Sequence, residues 1–263
     1  MRIRSMLAVG LFAVPQTLVA QDREPNMLFV TGAAQSGAGI SGEGGEIEWL
    51  GIVSPRATVI VGGAVSSVSD LWWTYGTLGG SMRRRDVTYS GRISLGSGRW
   101  LRSTFPYGRY LGAVTIPVAG SLYVDAEAQH VRIAGTTATV LQFGTTYGAS
   151  RNVSVRLAYH AAPWDPTLHG AVSARGDFNV RRVTLMSGIV ATARQTTPVN
   201  VQARDLTTRL APEFFGGASL PVGYSSVIVS AQLVPQSRGQ IVRLLVTLKH
   251  PLNGGNRRGE SDR

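Results

Sequence analysis

Residues 86–95, DVTYSGRISL, put Val87, Tyr89, Gly91, Ile93 and Leu95 on one face of an extended strand and Asp86, Thr88, Ser90, Arg92 and Ser94 on the other. Successive strand side chains point to opposite sides, so the segment has an apolar face and a polar one. The same weave returns in LYVDAEA, VSVRLAYH, LHGAVSARGD and IVRLLVTLK. Period-2 apolarity read against turn residues predicts strands near 27–34, 46–54, 57–66, 71–79, 86–96, 108–116, 120–132, 138–148, 152–161, 167–179, 182–193, 209–220, 223–234 and 239–250. No amphipathic helix is expected among them, because Gly, Thr, Ser and Val interrupt every 3.6-residue stripe.

The first 20 residues carry Arg2 and Arg4, an apolar run from Met6 through Val14, then Pro15 and Ala20 ahead of QDRE. That is the layout of a secretory signal peptide. A spanning helix needs roughly 20 apolar residues, about twice this run. The expected organisation is a leader at 1–20, one barrel domain at 21–250, and a polar, unstructured tail at 251–263.

The chain has no cysteine. This excludes disulfides, a thiolate nucleophile, a cysteine-ligated metal and a lipidated N-terminal cysteine. Charged residues make up 16% of the sequence and apolar ones 43%. The charged share is below the roughly 25% of soluble domains, the deficit an apolar belt produces. The polar faces of the strands are Ser, Thr, Gly and scattered Arg, where a secreted β-sandwich would carry Lys and Glu. An exported chain of such strands is expected to be an all-β, transmembrane, antiparallel up-and-down barrel of about 14 strands, with 12 as the alternative, in the outer membrane of a Gram-negative-type bacterium.

The connections fall into two kinds. SPRA, IPVAG, GASRN, NVRR and LPVG are tight, whereas QSGAGISGEGG, GSGRWLRSTFPYG, AAPWDP and 194–208 are expected to be longer loops. Short links on one rim and long ones on the other is the outer-membrane layout, with the tight turns facing the periplasm. Trp49, Trp72, Trp73, Trp100, Trp164, Tyr107, Tyr147 and Tyr159 fall near strand ends or loops, where an interfacial aromatic belt would sit.

With the apolar face towards lipid, the lumen is expected to be lined by Glu48, Arg92, Asp125, Glu127, Arg156, His160, His169, Arg175, Asp177 and Arg243. The set is mixed in sign. It can make a transverse field in a pore, or pair across the lumen and close it. The formal charge is +11, with Lys249 the only lysine. Spread arginines in an exported chain argue against nucleic acid and for lipid phosphate, with which guanidinium pairs well. Expected partners are therefore outer-membrane lipid and lipopolysaccharide, together with the outer-membrane assembly machinery.

The stretch from Thr104 to Pro163 resembles the YaiO-type outer-membrane β-barrel domain. The features that carry the resemblance are FPYGRY, the Pro117 turn, the strand from Ala126 to Arg132 followed by Ile133, FGTTYG, and VRLAYHAAP. It implies an outer-membrane barrel and no catalytic residues. The chain departs from that pattern in lacking an aromatic end to its last strand, LKHPL.

Enzymatic chemistry has little to stand on. His169 and Ser173 share a strand face but lie about 13 Å apart along it, beyond hydrogen-bond reach. His160 could meet His169 or Ser154 only if the register permits. No G-x-S-x-G or H-E-x-x-H motif is present. The histidines at 130, 160, 169 and 250 lack ligand spacing, and the acids Glu43, Glu46 and Glu48 are read as solvated charge at a loop–strand junction. No cofactor or metal is expected. The functions left are a passive channel for small solutes, biased towards anions by Arg92, Arg156, Arg175 and Arg243, or a closed structural barrel with a salt-bridged lumen. A lipid-modifying enzyme is the more remote third.

Overall fold

A computed structural model of the chain describes residues 26–133, 135–161, 170–192, 213–236 and 239–252. The expected leader and most of the expected tail lie outside them. The described residues form strands β1 (Met27–Gly37), β2 (Ile40–Ser54), β3 (Ala57–Val68), β4 (Leu71–Arg84), β5 (Val87–Trp100), β6 (Ser103–Ala119), β7 (Leu122–Ile133), β8 (Thr136–Ser150), β9 (Val153–Ala161), β10 (Ala171–Val180), β11 (Val183–Thr192), β12 (Glu213–Val222), β13 (Ser225–Gln236) and β14 (Gly239–Pro251). Each pairs antiparallel with its sequence neighbours, and β1 pairs with β14 to close the barrel. The seam is a full ladder in which Thr31 faces Thr247, their hydroxyls 3.0 Å apart. Closure leaves every wall strand laddered to a neighbour on both sides, as a lipid-embedded sheet requires.

The register fixes which way each side chain points, because paired residues share a face. Glu48 faces Gly62, Gly79 faces Arg92, Arg92 faces Leu111, and Gln232 faces Arg243, which faces Gln35. This ring is the inner face. The alternate positions, among them Val61, Leu78, Ile93, Leu157, Leu244 and Val246, are exposed and apolar. In DVTYSGRISL, Tyr89, Ile93 and Leu95 belong to that outer wall, and Thr88, Ser90, Arg92 and Ser94 point inward.

Two of the expected loops are strands. QSGAGISGEGG is the hairpin of β1 and β2 around Ala38 and Gly39, both at positive φ (50° and 75°) as a two-residue type I′ reversal needs. GSGRWLRSTFPYG is likewise the end of β5, a two-residue turn at Leu101 and Arg102, and the start of β6. These ends are rich in Gly and Ser and lack the apolar–polar contrast that marks a strand, yet their backbones continue the ladder. AAPWDP and 194–208 fall mainly or wholly outside the described residues. All six links on the rim that carries the two ends of the barrel are two residues long, and the two longest links, from Ala161 to Ala171 and from Thr192 to Glu213, lie on the opposite rim.

Candidate functional site: the lumen

The inner face divides into three levels. Nearest the rim of the barrel's two ends, Met27, Phe29 and Leu50 pack together with Ile52 and Ile60 on the β1–β3 wall. Charged and polar side chains occupy the middle. Towards the opposite rim, Val68, Leu71, Trp73, Phe105, Tyr107 and Ile133 form a buried cluster with Ile40, Tyr75, Trp100 and Val131 against it. Tyr107 stacks on Tyr75 at 4.8 Å between ring centroids and on Trp73 at 6.3 Å. On the far side at the same level, Val234 and Ile241 are also fully buried. Inward side chains buried to this degree, with Trp73 only 1% exposed, leave no broad water-filled opening at that end. Trp73, Trp100 and Tyr107 therefore do not belong to an interfacial belt. They point inward by register, since sequence position near a turn does not reveal which face a residue takes. Trp49, Trp72, Tyr147 and Tyr159 do point outward, and Trp164 lies outside the described residues.

Nine of the ten expected lumen residues fall on the inner face by register: Glu48, Arg92, Asp125, Glu127, Arg156, His160, Arg175, Asp177 and Arg243. His169 lies outside the described residues. Three arginines are paired. Arg92 Nη1 and Nη2 reach Glu48 Oε1 and Oε2 at 2.9 and 3.3 Å. Arg156 donates to Asp125. Arg175 Nη2 is 2.8 Å from Asp177 Oδ1, two residues along the same strand.

The first two pairs lie along the wall because glycines make room beneath them. Glu48 and Arg92 sit on β2 and β5, with Gly62 and Gly79 as their inward neighbours on β3 and β4. A Cβ at Gly62 would stand 2.8 Å from Glu48 Cγ. Gly144 on β8 lies between Asp125 and Arg156, and a Cβ there would come within 2.7 Å of both Asp125 carboxylate oxygens and 3.0 Å of Arg156 Nη2. Any side chain at these positions would push the ion pair off the wall into the lumen.

Other polar inner residues escaped the sequence reading. Arg243 donates from Nε to Gln35 Oε1 (3.2 Å) and from Nη1 to Gln232 Oε1 (3.1 Å), and Gln232 donates to Glu213 Oε2 (2.7 Å). These contacts make a polar ladder running from β1 to β12 through the seam. Arg109 contacts Gln129, and Glu46 shares the inner face with Glu48. Glu46 and Glu48 are therefore mid-strand lumen residues rather than solvated charge at a loop junction, whereas Glu43 is exposed on the outer face. Phe105, Tyr107, Arg109 and Leu111 alternate with outward Pro106, Gly108, Tyr110 and Gly112. Neither set is uniformly apolar, so only parity counted from the turn could have assigned Arg109.

A cavity of about 610 Å³ runs through the middle of the lumen towards the rim of the barrel's two ends, lined by Glu46, Arg92, Arg109, Glu127, Arg156 and Lys249 among others. His160 Nε2 lies 2.9 Å from Ser173 Oγ on the neighbouring strand. Among the described residues no carboxylate holds the other ring nitrogen, the place of the orienting acid in a hydrolytic triad.

No protein-family model matches the chain, and no curated protein matches its sequence. Its fold is similar to several solved structures. The CymD monoaromatic hydrocarbon channel matches with a TM-score of 0.66 at 8% identity over 88% of both chains. The Pseudomonas putida toluene transporter TodX matches at 0.62 and 9% identity, over 88% of this chain and 90% of that one. A bacterial polysaccharide outer membrane secretin matches at 0.54 and 7% identity, over 86% and 98%. At such identities the likeness establishes the fold, that of the outer-membrane β-barrels.

Proposed function

We propose that the protein is an outer-membrane channel that passes small solutes of low charge. The observation that carries this reading is the mid-lumen cavity whose ion pairs lie against the wall over Gly62 and Gly144, so that pairing does not fill the bore. The aromatic level of Trp73, Tyr75, Tyr107 and Phe105 then acts as an apolar constriction, which excludes hydrated ions by dewetting while admitting weakly polar molecules. The likeness to channels described as carrying monoaromatic hydrocarbons supports such a solute class. A bias towards anions enters the proposal as a weak one, because Arg92, Arg156 and Arg175 each face a carboxylate and only Arg243 among the four is held by amides. Residence in a Gram-negative-type outer membrane, insertion by its assembly machinery, and kinship with the YaiO-type domain over residues 104–163 belong to the same proposal.

The test is swelling of proteoliposomes in urea, glycerol and arabinose, compared with sodium glutamate. Uptake of the small neutral solutes ahead of glutamate supports the reading, and equal or absent uptake of all four opposes it. The closed interaction barrel stays as second reading because the three ion pairs and the buried Val234 and Ile241 also suit a filled lumen. It predicts no flux for any solute.

A further inference from the structure

Of the ten described cations outside the lumen, seven gather on one rim, and Arg99, Arg102 and Arg132 lie towards the other. The six two-residue reversals on the side of the barrel's two ends span Ser54–Ala57, Arg84–Val87, Ala119–Leu122, Ser150–Val153, Val180–Val183 and Val222–Ser225. Four of them carry Arg56, Arg85, Arg151, Arg181 and Arg182, and Arg83 and Arg84 adjoin the second. All seven are exposed. The only acid in these turns is Asp86, which Arg83 faces at 3.6 Å, and the other six arginines have no ion-pair partner among the described residues. Among the fully described two-residue turns opposite, Ala38–Gly39, Ser69–Asp70 and Leu101–Arg102 carry one cation and one acid, and the link between β13 and β14 adds Arg238 in the sequence.

The outer wall beside these arginines is apolar up to the turns. Val53, Met82, Val118, Val180 and Val222 are exposed on it, and Tyr224, 76% exposed, occupies a turn itself. An apolar band ending where guanidinium groups begin is the profile of a hydrocarbon–headgroup boundary. A two-residue turn cannot carry its side chains far from that boundary, so the guanidiniums are held at phosphate depth. Arginine's planar fork suits a phosphate diester better than a point charge does.

We propose that this rim is a binding ring for anionic glycerophospholipid headgroups in the leaflet it faces. The rim with only tight turns is the periplasmic one in outer-membrane barrels, and that leaflet, unlike the lipopolysaccharide leaflet, consists of glycerophospholipids. The inference rests on the barrel's embedding in a membrane and is independent of whether the lumen conducts.

The experiment refolds the full chain into phosphatidylcholine vesicles containing brominated phosphatidylglycerol or, as reference, brominated phosphatidylcholine. Tryptophan quenching in a Trp72→Phe background reports the lipid shell, since Trp49 lies on the outer wall and Trp72, also outward, stands beside the opposite rim. The preference for phosphatidylglycerol should be several-fold at low salt, fall as salt rises, and disappear in a variant with Arg56, Arg84, Arg85, Arg151, Arg181 and Arg182 each changed to Gln. Each arginine contributes up to roughly fivefold. Salt titration with all the arginines in place gives the result even where that variant fails to fold. Equal quenching by both lipids, or a preference insensitive to salt, overturns the proposal. So does a competition in which lipid A displaces phosphatidylglycerol from the ring.

Discussion

Arg92 on β5 holds Glu48 on β2 fork to fork, with two nitrogen–oxygen contacts spanning the two strands between them. With Arg156 and Asp125, it is one of two pairs that neutralise the lumen's charge across strands rather than along one. Replacing Glu48→Gln leaves Arg92 without its counter-charge, so single-channel reversal potentials in a salt gradient should move towards anions. The double change Glu48→Gln with Arg92→Gln should return them to near the starting value. Chemical denaturation of the same set should give a coupling energy on the order of 1–3 kcal/mol, the range for residues in direct contact.

Gly144 is the floor on which Asp125 and Arg156 rest. Gly144→Leu should lift that pair into the bore, reducing swelling rates for arabinose more than for urea while the barrel still shows a heat-modifiable shift on gels. An ordinary wall glycine, by contrast, would tolerate the change with no discrimination between solutes by size.

Trp73 and Tyr107 close the end opposite the termini of the barrel. Trp73→Ala removes a fully buried ring and should cost about 3–5 kcal/mol of stability. Ion conductance should rise at the same time, because the dewetted constriction is widened. Tyr75→Phe keeps the ring and should leave conductance unchanged.

Leu78, on the outer face at mid-strand between Val61 and Ile93, tests the orientation of the wall. Leu78→Arg should reduce folding stability in bilayers by about 2–4 kcal/mol, the cost of a cation near the midplane of a membrane barrel. Thr77→Arg, one residue away and pointing inward, should alter conduction more than insertion. Its clash with Ser94, which Thr77 hydrogen-bonds at 2.9 Å, also makes it a stringent control.

The barrel was legible because its physics is local. Alternation in DVTYSGRISL and IVRLLVTLK assigns faces without knowledge of the neighbours, and tight turns such as SPRA and NVRR set the hairpins. Each of the fourteen strands has its counterpart in the sequence reading. The missed parts are those where alternation carries no contrast. Ile40–Gly45, Gly96–Trp100 and Ser103–Tyr107 are strand ends whose two faces show little contrast in polarity, so their Gly and Ser read as loop. Trp73 and Tyr107 are apolar residues on the face expected to be polar. The pairing of Arg92 with Glu48 depends on which residues stand at the same height on β2 and β5, a register set by three successive hairpins and by small residues at Gly62 and Gly79. Individual strand patterns do not encode that height.

The most direct test of the channel account is single-channel recording of the refolded protein beside its Trp73→Ala variant in planar bilayers. The account predicts small or infrequent ionic steps for the unmodified barrel and larger, discrete, frequent steps for the variant, since a continuous lumen lies behind the aromatic level. Silence from both, with each shown to be folded and inserted, would contradict it and leave a closed barrel.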